Sequence, residues 1–166
     1  MPRARLKDVC DGSDARPVLV LDQVTDPQNI GAAIRAAAAF GAQALIVQER
    51  RTPPLAGALA KAAVGTLEVL PVVKVVNISR ALEALAEMGF RTMGLAGEAE
   101  AELPEVHFDD RPLALVLGAE GAGLREGVKG NCQELVRIPL QEGVESLNVS
   151  TAAAVALYAI GHAKGR

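Results

Sequence analysis

The sequence predicts an α/β protein in which a mostly parallel sheet is flanked by helices. Three observations favour this fold class. Short apolar runs recur along the 166 residues, and helical stretches of ten or more residues separate most of them. The first run, at residues 18–21, is apolar throughout, which is typical of a strand covered on both faces. Glycine or polar residues follow several runs, as expected where strand ends form a ligand site.

Composition and charge exclude several classes of protein. Half of the residues are hydrophobic, which is enough for one domain with a real core. No apolar run approaches the length of a bilayer span and no apolar signal segment opens the chain, so we expect a cytoplasmic protein with no membrane partner. A net charge of −3 with three phenylalanines and one tyrosine argues against a broad basic or stacking surface for RNA.

Metal and disulfide chemistry are also disfavoured. Cys10 and Cys132 are too few and too far apart for a disulfide framework or a zinc knuckle. His107 and His162 are distant in sequence as well, so we expect no metal.

The chain divides into a short leading segment and one domain. Residues 1–16 are polar, with four basic side chains and turn signals, and we interpret them as an N-terminal tail or linker remnant. Residues 17–166 form the domain, and residues 18–21 are its first strand. The other predicted elements are strand 44–48, helix 54–64, strand 68–72, helix 78–88, strand 90–96, strand 113–117, a short helix near 124–129, strand 134–140 and a C-terminal helix.

The first long helix has recognisable ends. Asp26 can cap its free amides, Pro27 suits its first turn, and Gly41 can end it in the left-handed conformation. Its predicted core stripe consists of Ile30, Ile34, Ala37 or Ala38, and Phe40.

The last thirty residues organise the predicted site. After strand 134–140, a polar loop brings Ser146 and Asn148 to the start of a helix, at the kind of corner where parallel sheets bind ligands. The apolar stripe of that helix is Val149, Ala152, Ala153, Ala156 and Ile160.

Glycine or polar loops follow three strands, at residues 94–98, 118–123 and 139–148. Glycine allows main chain to approach a ligand closely, so together these loops predict a nucleotide-like cofactor site. Ordinary αβ turns remain the alternative for any one loop. The dinucleotide fingerprint, the P-loop and the serine-hydrolase elbow are all absent around these loops, and no histidine can be placed beside Ser146.

Arg35 lies in the first long helix among small residues, and Gly31 one turn earlier leaves the surface above it open. A solvated helix arginine is the ordinary alternative to a functional one.

Three segments carry a family resemblance: NIGAAIR at 29–35, LALVLGAEGAGL at 113–124 and IPLQEGVESLNVSTAAAVAL at 138–157. In this order and spacing they resemble the three motifs of the SpoU/TrmH family of RNA 2′-O-methyltransferases, in the SPOUT superfamily. The resemblance covers about residues 17–162. Residues 94–100 are most similar to the branch that methylates a guanosine ribose in 23S rRNA.

The resemblance implies a C-terminal deep trefoil knot (an α/β-knot), a homodimer that packs the first and last helices together, and S-adenosylmethionine bound in the knot. Carried over by position, the catalytic residues are Asn29, Arg35, Glu120, Ser146 and Asn148. The implied cofactor contacts are Leu95, Ala96, Gly97, Leu117, Gly118, Glu120, Gly121, Ile138, Leu140, Ser146, Leu147 and Asn148.

The implied reaction transfers a methyl group to a ribose 2′-hydroxyl, and positioning and electrostatics should dominate it. The family puts Arg35 at the reacting hydroxyl, sometimes as its base. A guanidinium rarely loses its proton, so we interpret Arg35 as a cation that binds phosphate and stabilises the developing alkoxide. Ser146 and Asn148 would orient the cofactor or ribose, and Glu120 would shape its loop or hold a donor near it.

Several alternatives stay open. The substrate could be tRNA, or the chain could be a non-catalytic RNA-binding or dimerisation module of the same fold, or a nucleotide-cofactor enzyme of ordinary doubly wound type. Many members of this branch carry an additional N-terminal RNA-binding domain, so we expect either an excised catalytic domain or a minimal member.

Overall fold

A computed structural model describes residues 5–49, 70–119, 121–144 and 146–165 of the chain. The elements in these ranges are α1 (Leu6–Val9), β1 (Val18–Asp22), α2 (Pro27–Ala39), β2 (Ala44–Gln48), β3 (Val72–Val75), α3 (Ile78–Glu87), β4 (Arg91–Leu95), β5 (Ala101–Glu102), a 3-10 turn (Leu103–Glu105), β6 (Leu113–Gly118), α4 (Glu126–Gly130), β7 (Glu134–Arg137) and α5 (Val149–Ala163).

The strands form one seven-stranded sheet in the order β3-β2-β1-β6-β4-β7-β5, and every neighbouring pair is parallel. Successive side chains of β1 point to opposite faces of the sheet. Both sets are apolar along residues 18–21, so helices cover both faces. Leu19 and Leu21 belong to a core shared with α2 and α5, whereas Val18 and Val20 belong to a core shared with α1, α3 and α4. The predicted α/β class with a parallel sheet is confirmed.

The ends of α2 follow the predicted chemistry. The Asp26 carboxylate accepts a hydrogen bond from the Gln28 amide at 2.8 Å, and Pro27 opens the helix. Gly41 has a φ of 75°, which suits a residue without a Cβ. The prediction that Phe40 lies in the core is wrong, since its side chain is 38% exposed. The helix ends at Ala39, so Phe40 leaves the helical periodicity and its ring contacts Tyr158 edge-on instead.

Two predicted strands have different bounds in the structure. The strand predicted at 68–72 contributes only Val72, because Leu70 and Pro71 lie before β3 and residues 68–69 lie outside the described ranges. The strand predicted at 134–140 ends at Arg137, and Pro139, which has no amide hydrogen, lies in the irregular segment that follows. The predicted helix 54–64 also lies outside the described residues.

Residues 5–16, which we expected to form a tail or linker remnant, pack against the domain. The Gln43 side-chain amide donates to the carbonyls of Asp11, Asp14 and Arg16, and its oxygen accepts from the Asp11 amide. Cys10 is buried beside this connection. The polar composition of the segment hid this attachment, because main-chain groups make most of it.

No helix within the described ranges combines the length and the apolar composition needed to cross a bilayer.

Candidate functional site

A cavity of about 520 Å³ lies at the carboxyl ends of the three adjacent strands β6, β4 and β7. The three glycine or polar loops predicted from the sequence form most of its wall, and Val149 and Ala152 of α5 close one side. A cavity of this volume can hold a small organic ligand. The structure therefore brings together the three loops that the sequence singled out.

Most of the predicted cofactor contacts line this cavity. They are Leu95, Ala96, Gly97, Leu117, Gly118, Gly121, Ile138, Leu140, Ser146 and Leu147. Asn148 does not line it, and Glu120 lies outside the described residues. Glu98, Lys129 and Arg137 also line the cavity but were not predicted as contacts. Glu98 stands in a loop that the sequence marked, whereas Lys129 and Arg137 had no signal.

The loop after β6 is shaped by its glycines. A Cβ atom on Gly118 would lie 2.2 Å from the carbonyl carbon of Gly123, so no larger residue fits there without moving main chain. The loop closes through a hydrogen bond from the Gly123 amide to the Ala119 carbonyl at 2.8 Å, and both Gly121 and Gly123 have positive φ angles. This tight turn presents main chain to the cavity.

Beyond this loop, an ion pair with a buried carboxylate ties the chain to β1. Asp22, at the end of β1, is completely buried. Its carboxylate accepts the Arg125 amide at 3.0 Å and the guanidinium Nε and Nη2 at 2.9 and 2.7 Å. Sequence reasoning missed this pair, although a carboxylate directly after an apolar strand is a recognisable signal.

Asn29 in the first turn of α2 and Asn148 at the start of α5 join these two helices. Asn148 caps α5, because its side-chain oxygen accepts the amides of Ser150 and Thr151 at 2.9 and 3.3 Å. That role fixes the orientation of the amide, whose Nδ2 then donates to Asn29 Oδ1 at 2.9 Å. The first and third predicted motifs therefore meet at this contact.

Arg35 lies away from the cavity. Its side chain is exposed on α2 and does not line the cavity. Within the described part of the chain it has no hydrogen-bond or ion-pair partner. A single chain therefore does not bring Arg35 to the cavity wall.

Ion pairs surround the cavity. Lys129 contacts Glu98 at 2.5 Å and Glu126 at 3.3 Å, and Arg137 contacts Glu102 at 3.2 Å. The hydrogen bond with Lys129 lowers the pKa of Glu98 below its ordinary value and raises the pKa of Lys129. Both groups are charged at neutral pH.

The two thiols are protonated, and therefore weak nucleophiles, at neutral pH. Burial raises the pKa of Cys10 and of Cys132 to about 11, so both stay protonated at neutral pH. In the ranges that the structure covers, no three side chains of the metal-binding types come together.

These features define an α/β protein with a ligand cavity at the carboxyl edge of a parallel sheet, formed by loops that carry the second and third motifs. The sequence profile described as the SpoU rRNA Methylase family matches residues 16–158, and the chain belongs to that family.

Curated relatives agree with this assignment. The chain is 45% identical over 154 residues to a protein from Burkholderia sp. named 23S rRNA (guanosine-2'-O-)-methyltransferase RlmB, and 44% identical over 156 residues to the protein of that name from Pseudomonas syringae pv. tomato. These matches cover 92% and 93% of this chain but 62% of each relative.

Solved structures show the same fold. The SpoU methyltransferase AviRb from Streptomyces viridochromogenes, solved with AdoMet, superposes with a TM-score of 0.86 at 28% identity, over 99% of this chain and 63% of that one. A solved structure described as giving structural insights into the 2-OH methylation of C/U34 on tRNA superposes with a TM-score of 0.80 at 31% identity, over 92% of this chain and 99% of that one.

Proposed function

We propose that the protein is an S-adenosylmethionine-dependent RNA methyltransferase that modifies a ribose 2′-hydroxyl, of a guanosine in 23S rRNA. The observation that carries this proposal is the cavity in which the loops of the second and third motifs meet beside the Asn29–Asn148 contact. Relatives that are 45% and 44% identical are named for this activity, which supports the choice of substrate.

The residues of the cavity fit S-adenosylmethionine. The apolar side chains of Leu95, Leu117 and Ile138 offer a surface for a flat ring, and the glycine loops offer main-chain donors and acceptors. A fold neighbour was solved with this cofactor, which supports the same ligand here. When bound, S-adenosylmethionine supplies an electrophilic methyl group on a sulfonium.

The chain's own residues would position and activate the acceptor. Ser146 lines the cavity and has a hydroxyl that can hold the cofactor or the ribose. Asn29 and Asn148 hold the starts of α2 and α5 together, and this contact would help to position Ser146, two residues before Asn148. Arg35 is the proposed cation for the developing alkoxide and a neighbouring phosphate. Glu120 is proposed to shape its loop.

Calorimetric titration and a radiolabelled methyl-transfer assay test this function. We expect Arg35→Ala to abolish transfer while cofactor affinity stays nearly unchanged, because Arg35 lies outside the cavity wall. Full transfer by this variant would refute its assignment. No binding heat with S-adenosylmethionine would instead favour a non-catalytic module, and heat with NAD alone would favour an ordinary nucleotide-cofactor enzyme.

We infer a homodimer in which α2 and α5 of two copies pack together and Arg35 of one copy serves the cavity of the other. Phe40 directly after α2, and Val155 and Tyr158 on α5, leave apolar surface exposed, and Tyr158 is 61% exposed. Arg35 is exposed on α2 as well. This arrangement would bring the Arg35 guanidinium to a cavity that Arg35 does not line within one chain.

Mixed dimers test this arrangement. Ala152→Trp should fill the cavity from α5, and a 1:1 mixture with Arg35→Ala chains should recover about a quarter of wild-type activity, since half the dimers have one complete site. Zero recovery would mean that Arg35 serves its own cavity. A light-scattering mass of one chain would exclude the dimer altogether.

We also propose that residues 17–166 are the methyltransferase domain and that its C-terminal segment is threaded as a trefoil knot. Ile138, Leu140, Ser146 and Leu147, which lie between β7 and α5, line the cavity, and α5 packs against α2 across the sheet from β7, which supports the knot. Pulling the chain from both ends should give an unfolded length shorter than the full contour, because a tightened knot remains. A full-length contour would refute the threading.

A tRNA substrate is the second candidate, because the chain covers 99% of a fold neighbour described for the 2-OH methylation of tRNA. Mapping of methylated riboses in RNA from a strain without the gene would decide between the two RNAs. A cytoplasmic location is part of the proposal, and cell fractionation would test it.

A further inference from the structure

A second, polar groove of about 260 Å³ lies at the carboxyl ends of β2 and β3. Gln48, Ser79, Arg125 and Gly127 are among the residues that line it. The short helix α4 separates this groove from the cavity, because Gly127 faces the groove and Lys129 faces the cavity. The two depressions are therefore about one helix diameter, roughly 10 Å, apart.

The wall of the groove contains a buried donor without a partner. Gln48 is 8% exposed, and its Oε1 accepts hydrogen bonds from the Gln23 amide at 2.8 Å and from Gln23 Nε2 at 3.1 Å. The main-chain donor fixes the orientation of the Gln48 amide, so Nε2 is its other end. Nε2 has no acceptor among the described residues. Such a donor is costly to leave unpaired, which indicates a ligand that accepts from it.

The start of α3 adds further donors. The Asn77 side chain caps this ten-residue helix by accepting the Arg80 amide at 3.1 Å. The Ser79 amide and hydroxyl have no acceptor in the ranges that the structure covers. The positive end of the helix dipole therefore faces the groove beside free N–H and O–H groups.

Arg125 supplies the positive charge. Asp22 holds its Nε and Nη2, and Nη1 has no acceptor within the described ranges. The side chain is 49% exposed, so this remaining edge is accessible. None of the described residues that line the groove is acidic, and the neighbouring Glu126 contacts Lys129. The groove thus presents donors from three elements and no free carboxylate.

We propose that this groove binds a backbone phosphate of the RNA substrate, next to the nucleotide that enters the cavity. The inference rests on the proposed function, which supplies an RNA substrate. A phosphodiester matches the groove because its oxygens only accept hydrogen bonds and carry negative charge. The ion pair with Asp22 would keep Arg125 aimed at the groove in the absence of RNA.

Ser79→Asp tests the proposal, because it places a carboxylate in the groove. An acidic residue in the first turn of α3 suits the helix dipole, so the variant should keep or raise its melting temperature. We expect its affinity for a fluorescein-labelled single-stranded RNA, measured by anisotropy, to fall about tenfold. The slope of log affinity against log salt should fall by about 0.7, as for one lost phosphate contact.

Lys7→Gln is the matched control, because it changes the net charge equally on α1, at the amino edge of the sheet. It should bind the RNA like the wild type, and all three proteins should bind S-adenosylmethionine equally. Equal RNA binding by Ser79→Asp and wild type would overturn the proposal, as would an equal loss in Lys7→Gln.

Two further results would overturn the proposal. One is a wild-type protein that binds no RNA. The other is a pair of observations: inorganic phosphate shifts the NMR signal of the Gln48 side chain, and Ser79→Asp binds RNA as tightly as the wild type. The groove would then bind a free anion but not the RNA. Cofactor titration reports separately on the proposed function.

Discussion

Removal of the buried Asp22 carboxylate should destabilise the protein and loosen the cavity. In Asp22→Ala, the Arg125 amide and guanidinium lose three hydrogen bonds of 2.7 to 3.0 Å. Breaking a buried ion pair by deleting one partner costs about 3–5 kcal/mol. The low end, about 3 kcal/mol, applies because the half-exposed Arg125 regains water. For a domain of this size the melting temperature should fall by about 6–12 °C.

The chain contains a matched control for this change. The Asp109 carboxylate accepts hydrogen bonds from the Arg111 amide at 3.0 Å, from Arg111 Nε at 3.0 and 3.2 Å and from Arg111 Nη2 at 2.8 Å. This geometry is nearly that of the Asp22–Arg125 pair, but both side chains are about half exposed. Solvent screens this pair, so Asp109→Ala should lower the melting temperature far less. Calorimetric unfolding of both variants measures the difference. Equal losses would refute the argument that burial, rather than pairing geometry, makes Asp22 important.

Asp22→Ala should also weaken cofactor binding, because Arg125 directly follows the loop that lines the cavity. Titration with S-adenosylmethionine at a temperature where the variant is folded would measure this effect. Unchanged affinity would show that the loop holds its shape without the anchor.

Three other predictions follow from single contacts. Gly118→Ala should abolish cofactor binding in calorimetry, since its Cβ would lie 2.2 Å from main chain, whereas Gly130→Ala, which meets nothing within 4 Å, should leave binding intact. The pKa of Glu98 is lowered in the folded protein, so the Glu98–Lys129 pair stabilises the fold above the unfolded pKa of Glu98, and this stabilisation is lost as the pH falls. The free energy of unfolding of Glu98→Gln, measured by acid titration, should therefore fall slightly less steeply with decreasing pH. Native Cys10 should react with a thiol reagent only on unfolding because it is buried, and the partly buried Cys132 should react slowly, because both thiols have a pKa of about 11.

The sequence predicted the elements that depend on local chemistry. The apolar run of β1, the Asp26-Pro27 start of α2 and the glycine that ends it are all local signals, and each was confirmed. The prediction that Phe40 lies in the core was wrong because α2 ends at Ala39, one residue before the end of the predicted apolar stripe. β5 was missed because Ala101–Glu102 has only two residues and depends on pairing with β7.

The cavity could be predicted because glycine loops and family motifs occur in continuous segments. Contacts between residues that are far apart in sequence could not be predicted. Asp22 and Arg125 are 103 positions apart, and no periodicity links them. Lys129 and Arg137 reach the cavity from α4 and β7, whose side-chain directions depend on packing. The proposed placement of Arg35 at the cavity of a second copy depends on assembly, which one sequence does not encode as a pattern.

The attachment of residues 5–16 has a practical consequence for biochemical work. This segment docks at the amino edge of the sheet, beside Gln43 and Gly89, whereas the cavity and the groove open at the opposite edge. Ser13 is exposed there, whereas Cys10 is buried and Cys132 is partly buried, and both native thiols have a pKa of about 11. Ser13→Cys would therefore give an exposed handle, more reactive than the native thiols, for surface immobilisation or a fluorophore, with both openings left clear for ligands.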